Sequence, residues 1–320
     1  AAIYMVDAET GDLLWSAVNT DDNTTGDDTH DLNLPMSNSI PGDVTVADMD
    51  GDGSVDILFA VDIQGHVWRI DFNGETTSAS DFAEDGNGQD TGAEIADLSD
   101  GSQFRRFYTG PTVSLSQKRG REPFFVITMG TGYTAHPKDT DIVDRLYALF
   151  EFNIFGAPTD SNDDVDYTTI NNSALLDLTD PADGPADPGT NAPHGFYKDA
   201  TANGEKFLRP ALTLFGYTLY TSYLPEGNSN DTTCGAEYLG AGRLYAMNFV
   251  TGETAYTSEY IDLKHPGIPP EPVALFIPDP ITGGTKTILC VGTECFSPDD
   301  EENPWGEVTT QILYWRENIQ

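Results

Sequence analysis

The chain has 320 residues, 38% hydrophobic and 11% aromatic, enough for a packed core, and 53 Asp and Glu against 15 Lys and Arg give a formal net charge of -38. That balance argues against nucleic acid as a partner, because binding it requires cations that displace phosphate counterions; it suits metal cations and a salty or extracellular medium. No run of about eighteen apolar residues occurs, so no membrane-spanning segment is expected, and the opening "AAIYMVDAETG" has no initiator Met and no targeting leader, the pattern of a mature product or a fragment of a longer protein.

Taken in chain order, the apolar pattern predicts strands at "AIYMVDA" (2–8), "DILFAVD" (56–62), "HVWRIDF" (66–72), "FFVITMG" (124–130), "RLYALFEF" (145–152), "LTLFGYTLYTSYL" (212–224), "RLYAMNFV" (243–250), "KTILCVG" (286–292) and "TQILYWRE" (310–317). The best helix candidate is the short "SALLDLTD" (173–180). Several strands share an ending in which aromatic and apolar residues precede a polar turn: "IYMVDAETGDLLW", "VWRIDFNGET", "LYALFEFNIFG" and "LYAMNFVTGETAY". Gly11 and Gly252 supply the positive φ that a tight hairpin needs. Units of roughly 40 to 50 residues with this recurrence are how an all-β propeller reads in sequence, and at that size the chain holds about seven blades. A β-sandwich array is the competing architecture. Three stretches, about 74–103, 156–204 and 225–235, concentrate acid and lack apolar period; they read as long loop insertions within one domain spanning 1–320.

The most informative segment is "VADMDGDGSVDILFA" (46–60). Asp48, Asp50, Asp52, the carbonyl of Ser54 and Asp56 stand at positions one, three, five, seven and nine of a loop, with Gly53 at position six. Calcium takes six to eight oxygens at about 2.3–2.6 Å, and alternate residues of a curled loop supply them; magnesium prefers a rigid octahedron and keeps its waters. Without a cation, carboxylates this crowded repel one another. Position twelve is Phe59 rather than the bidentate Glu of an EF-hand, and strands flank the loop instead of helices, so a β-flanked Ca²⁺ loop describes it better. "DSNDDVD" repeats the alternation at Asp160, Asn162, Asp164 and Asp166, but Val165 stands where the turn glycine belongs, and it reads as a solvated acidic loop.

Other motifs fail on context. Gly130-x-Gly132-x-x-Ala135 follows a strand, but "HPKDTD" starts no helix for a dinucleotide fingerprint. "GGTKT" (283–287) lacks the first P-loop glycine, His30, His66, His136, His194 and His265 have no zinc spacing, and no serine-nucleophile elbow is present. No catalytic residues are expected. Cys290 and Cys295 could pair, Cys234 could pair with either, or all three could be buried thiols.

With the aspartate loop followed at once by "VDIQGHVWRIDF", then "GPTVSLSQKRGREPFFVITMGTGYTAHPKDTD", "GEKFLRPALTLFGYTLYTSYLPEGNSNDTTCGAEYLGAGRLYAMNFVTGE" and "ILYWRE", the chain resembles the C-terminal propeller of the PilY class of type IV pilus biogenesis and tip-adhesin proteins. Trp68-Arg69, Gly130-Thr131-Gly132 and Trp315-Arg316-Glu317 carry the resemblance most specifically. It implies a modified seven-bladed, quinoprotein-like propeller on a secreted or surface-exposed protein that passes through periplasm and outer membrane. The implied role is non-enzymatic: priming pilus assembly, opposing retraction and mediating attachment, with minor pilins at the pilus tip and a host or surface receptor as partners. Calcium is implied at Asp48, Asp50, Asp52, Ser54 and Asp56, with Asp50 where the family often has Asn. Two alternatives stand beside it. A pyrroloquinoline-quinone dehydrogenase has repeats like "VDAETGDLLW", but this chain lacks the vicinal cysteines of those enzymes; an integrin-like binding propeller should carry several such aspartate loops at blade spacing.

Overall fold

A computed structural model describes residues 1–19, 32–73, 82–84, 89–101, 104–117, 122–180, 184–225, 239–278 and 284–305. They build five β-sheets. In the first, β1 (Ala2–Val6) and β2 (Leu13–Val18) form a hairpin and β3 (Leu32–Asn33) runs parallel to β2. The second begins as an antiparallel meander of β4 (Thr45–Ala47), β5 (Ile57–Val61), β6 (His66–Asp71) and β7 (Gly92–Asp97). The third begins likewise with β8 (Thr112–Ser116), β9 (Phe124–Gly130) and β10 (Arg145–Glu151). The chain then returns to the second sheet, where β11 (Ile170–Asn171) pairs in parallel with β7, before β12 (Leu176–Asp177) and β13 (Gly195–Asp199) complete the third. The fourth holds β14 (Leu212–Leu214), β15 (Tyr217–Leu224), β16 (Ala241–Asn248) and β17 (Ile261–Asp262), and the fifth β18 (Pro272–Pro278), β19 (Thr285–Val291) and β20 (Glu294–Phe296).

The sheets stack face to face in chain order, and the period of two along each strand explains how. Ile57, Phe59 and Val61 of β5 enter a core shared with Phe125, Ile127, Tyr147 and Leu149 of the third sheet, while Leu58 and Ala60 turn the other way onto Trp15 and Ala17 of the first. β9 and β10 repeat the division, sending Phe124, Val126, Leu146 and Ala148 to Tyr220, Tyr245 and Met247 of the fourth sheet. Leu219, Leu244 and Ala246 then meet Leu289, Val291 and Phe296 of the fifth. Central strands are apolar on both faces because both faces are covered, each full burial of such a side chain contributing about 1.5–3 kcal/mol. On the two end sheets, Tyr4 of β1 and Leu275 and Ile277 of β18 are exposed.

Gly11 (φ 77°) and Gly252 (φ 72°) close the same turn twice. Asp7 N–H donates to the Asp12 carbonyl and Gly11 N–H to the Asp7 carbonyl, as Asn248 and Gly252 do around Glu253.

Several elements differ from the sequence expectation. The stretches 74–103 and 156–204, read as insertions, contain β7 and β11 to β13; within β7 only Ile95 and Ala96 are fully buried, too few to set a pattern. "SALLDLTD" is not a helix. A 3₁₀ turn at Asn172–Ala174 passes into extended chain, because Leu175 and Leu178 reach two different cores, which one helical face cannot do. The run 212–224 is a hairpin, turned at Phe215 (φ 49°) and Gly216 (φ 88°). Cys290 and Cys295 form a disulfide across β19 and β20; Cys234, most of 225–235 and the strand expected at 310–317 lie outside the described residues.

Candidate metal centre

β4 and β5 pair through Ala47 and Ile57, so Asp48 and Asp56 stand where their hairpin opens. The Asp56 N–H donates to the Ala47 carbonyl at 2.9 Å, and its carboxylate accepts the Met49 N–H at 2.5 Å. Met49 also packs against the core between the second and third sheets, which anchors the loop from below. Asp48 accepts from Gly51 N–H at 2.7 Å and Gly53 N–H at 3.0 Å, curling the chain around its own carboxylate. Gly51 (φ 78°) and Gly53 (φ 93°) both lie in the left-handed region, and a Cβ on either would touch nothing within 4 Å, so conformation and not space calls for glycine.

This geometry brings three of the expected ligands together. Asp48, Asp50 and Asp56 each place a carboxylate oxygen within 4.8 Å of the other two, with Asp48 and Asp50 exposed and Asp56 half-buried. Oxygens on opposite sides of one calcium ion are separated by about 5 Å, twice the metal–oxygen distance, so the donor set fits a hard cation. Asp52 is not in that group: its carboxylate accepts the Ser54 N–H at 2.6 Å and its own N–H donates to Asp50 at 3.0 Å. Among the described residues no other group of His, Cys, Asp and Glu converges in this way.

The acidic turn at 160–166 is built differently. Asp160 accepts the N–H groups of Asn162 at 2.7 Å and Asp164 at 3.1 Å, and these backbone donors hold its carboxyl below its ordinary pKa. Asp164 accepts from Gln89 Nε2 at 3.1 Å, and a backbone bridge joins Thr159 to Val165. With Asp163 at φ 65°, the turn closes on its own hydrogen bonds.

No family model matches this chain. Over 275 residues it is 23% identical to a type IV pilus biogenesis factor PilY1 homolog of Xylella fastidiosa. The crystal structure of the Pseudomonas aeruginosa PilY1 C-terminal domain superposes on 92% of it with a TM-score of 0.60, at 17% identity. The chain is PilY-like. It spans 65% of that solved domain, and its match is 80% of this chain but 17% of the Xylella protein.

The PilY-like signature residues that the structure describes do structural work. Trp68 is buried between the first and second sheets. Arg69, wholly buried on the opposite face, donates to Asp71 at 2.8 and 2.6 Å and to the Gly156 carbonyl at 2.9 Å, while Tyr167 donates to Asp71 at 2.6 Å. Burial pushes the Asp71 carboxyl up against the pull of Arg69. A Cβ on Gly130 would lie 2.5 Å from that of Phe207, and the Thr131 hydroxyl donates to buried Asp144 at 2.7 Å. Asp71 is only two residues from Arg69, but local pattern carries no signal for Gly156, Tyr167 or Phe207, which sit far away in the chain. Trp315-Arg316-Glu317 lies outside the described residues.

Proposed function

We propose that the chain is a non-enzymatic, calcium-responsive part of a type IV pilus system. The observation that carries the calcium reading is the convergence of Asp48, Asp50 and Asp56 at the mouth of the β4–β5 hairpin. Those three carboxylates would hold the ion, Asp52 would act from behind by fixing Ser54 and Asp50, and the Ser54 carbonyl stays in the proposed set from its loop position. A bound cation would supply the positive charge that lets three carboxylates share one small volume. At a hundredfold excess over the dissociation constant, binding to the folded state alone adds about 2.7 kcal/mol.

The five stacked sheets are read as an arc of a modified seven-bladed propeller within one domain. Support comes from the face-to-face cores and from the exposed apolar side chains on the two end sheets, Tyr4 on one and Leu275 on the other. The pilus role, with minor pilins as partners, a surface receptor as target and an extracellular, pilus-associated location, rests on the similarity to the two PilY1 proteins. Among the described residues no helix is long and apolar enough to cross a membrane.

The test is capture of minor pilins from sheared pilus preparations by the immobilised chain, in calcium and in EGTA. Retention of minor pilins in calcium, weakened by Asp48→Ala, is expected. Equal retention by wild type and variant would remove the calcium switch, and no retention under either condition would remove the pilus assignment.

A further inference from the structure

The end of the sheets opposite the aspartate loop carries a second cluster of chemistry. There the connections β7–β8 and β9–β10 run side by side, the Gly132 N–H donating to the Arg106 carbonyl at 3.0 Å. The Phe107 N–H donates to the Asp62 carbonyl at 3.3 Å, just past the far end of β5. The rings of Tyr108 and Tyr133 stack with centroids 6.2 Å apart and 22° between planes, and His136 meets Tyr133 edge-on at 4.7 Å. The Arg106 guanidinium carbon lies 4.0 Å from the Tyr133 centroid. Beside them, residues 133–139 shape an open cleft of about 560 Å³ lined by Tyr133, His136, Lys138 and Asp139.

Charge makes this cluster unusual. In a chain of net charge -38, Arg69, Arg105, Arg145, Lys198, Lys206, Arg243 and Lys264 each lie within 4 Å of a carboxylate. Arg106, Lys138 and Arg209 have no such partner among the described residues; Arg106 lies over an aromatic ring, Lys138 is exposed at the cleft, and exposed Arg209 does not line it. Lys138, without an acidic partner in a molecule with acid to spare, leaves its charge for a ligand. The aromatic rings add flat apolar surface. Asp139, whose carboxylate accepts the Asp141 N–H at 3.1 Å, puts one negative group in the wall. That group repels a ligand with many negative charges and accepts hydroxyl protons from one with a single charge.

We propose that this cleft binds an acidic sugar, a uronic or sialic acid residue of a glycan, with the pyranose ring beside the Tyr133 and His136 side chains that line it, the carboxylate toward Lys138, and a hydroxyl toward Asp139. The inference gives a ligand class to the attachment role above, yet it does not depend on calcium, because the aspartate loop lies at the other end of β5.

The experiment is a calorimetric titration of the 320-residue chain, in EGTA and again in calcium, with glucuronic acid, N-acetylneuraminic acid, glucose and a hexaglutamate peptide. Saturable millimolar binding of at least one acid is expected, with glucose at least about tenfold weaker. Lys138→Ala, at an exposed position, should weaken that binding about tenfold with an unchanged melting temperature, and Tyr133→Ala should weaken it as well. Failure of both acids to saturate, equal binding of glucose, tighter binding of hexaglutamate, or an unaltered affinity in Lys138→Ala would each overturn the proposal. Loss of pilin capture with sugar binding intact would sink only the pilus reading.

Discussion

The loop at 48–56 and the turn at 160–166 have nearly the same composition and alternation, and they dispose their carboxylates in opposite ways. In the turn, Asp160 spends its oxygens on backbone N–H groups, and Asp164 is engaged by Gln89. In the loop, the backbone donors curl the chain so that Asp48, Asp50 and Asp56 still face one another. Two glycines at positive φ make that curl possible, whereas the turn has only Asp163 there. Spacing of acidic residues alone does not bring carboxylates together. The backbone must also turn the carboxylates inward.

The strongest way to break this contrast is Asp48→Ala, which should abolish the calcium-dependent rise in thermal stability, about 2.7 kcal/mol at hundredfold excess, as read from melts in calcium and in EGTA. A variant that still responds to calcium like wild type would put the ion elsewhere. Gly53→Ala should cost about 1–2 kcal/mol in both media, since it strains the backbone at φ 93° whether or not an ion is present.

Next in size is a pH effect at the other end of β5, useful as a control because it involves no loop residue. Asp62, buried, accepts His66 Nδ1 at 2.7 Å. Burial pushes the Asp62 carboxyl up, but the hydrogen bonds from the His66 ring and from the His66 and Gln64 N–H groups outweigh it and hold the pKa below 3.8. The hydrogen bond to Asp62 raises His66 above 6.5 against burial. The Asp62 contribution is thus present above 3.8 and lost as pH falls through its lowered value. That of His66 is complete below 6.5 and lost as pH climbs through its raised value. His66→Gln should flatten the stability loss between neutral and alkaline pH by about 1 kcal/mol and leave the calcium response intact.

The smallest effects sharpen the comparison most. Asp52→Ala should keep a calcium response, with affinity reduced by about tenfold or less, because Asp52 orients its neighbours and lies outside the converging group. Asp160→Ala should leave calcium binding unchanged in titration calorimetry. An Asp52→Ala loss as complete as that of Asp48→Ala would show that the loop rearranges around the ion.

Much of this was legible beforehand. The four similar strand endings correspond to β1, β6, β10 and β16, and the last three each occupy the third place from the same side of their sheets. β5, β9 and β10 stood out as continuous apolar runs, since each is covered on both faces. β7, β11, β12 and β13 did not, because their short or polar segments are held by strands already in place. The described residues build five sheets beside an expectation of about seven blades, and the second and third of them take in strands from chain that the sequence pattern reads as insertion.

The amino-acid order by itself determined where most of the long strands lie, the hairpin glycines and the alternation of aspartates, because those depend on neighbours a few residues apart. Only the tertiary structure decided that β11 crosses back to the second sheet, that the Arg69–Asp71 pair is buried with distant Gly156 and Tyr167, and which three carboxylates meet. Those outcomes depend on which chain segments lie beside one another in space, and local pattern carries no record of that.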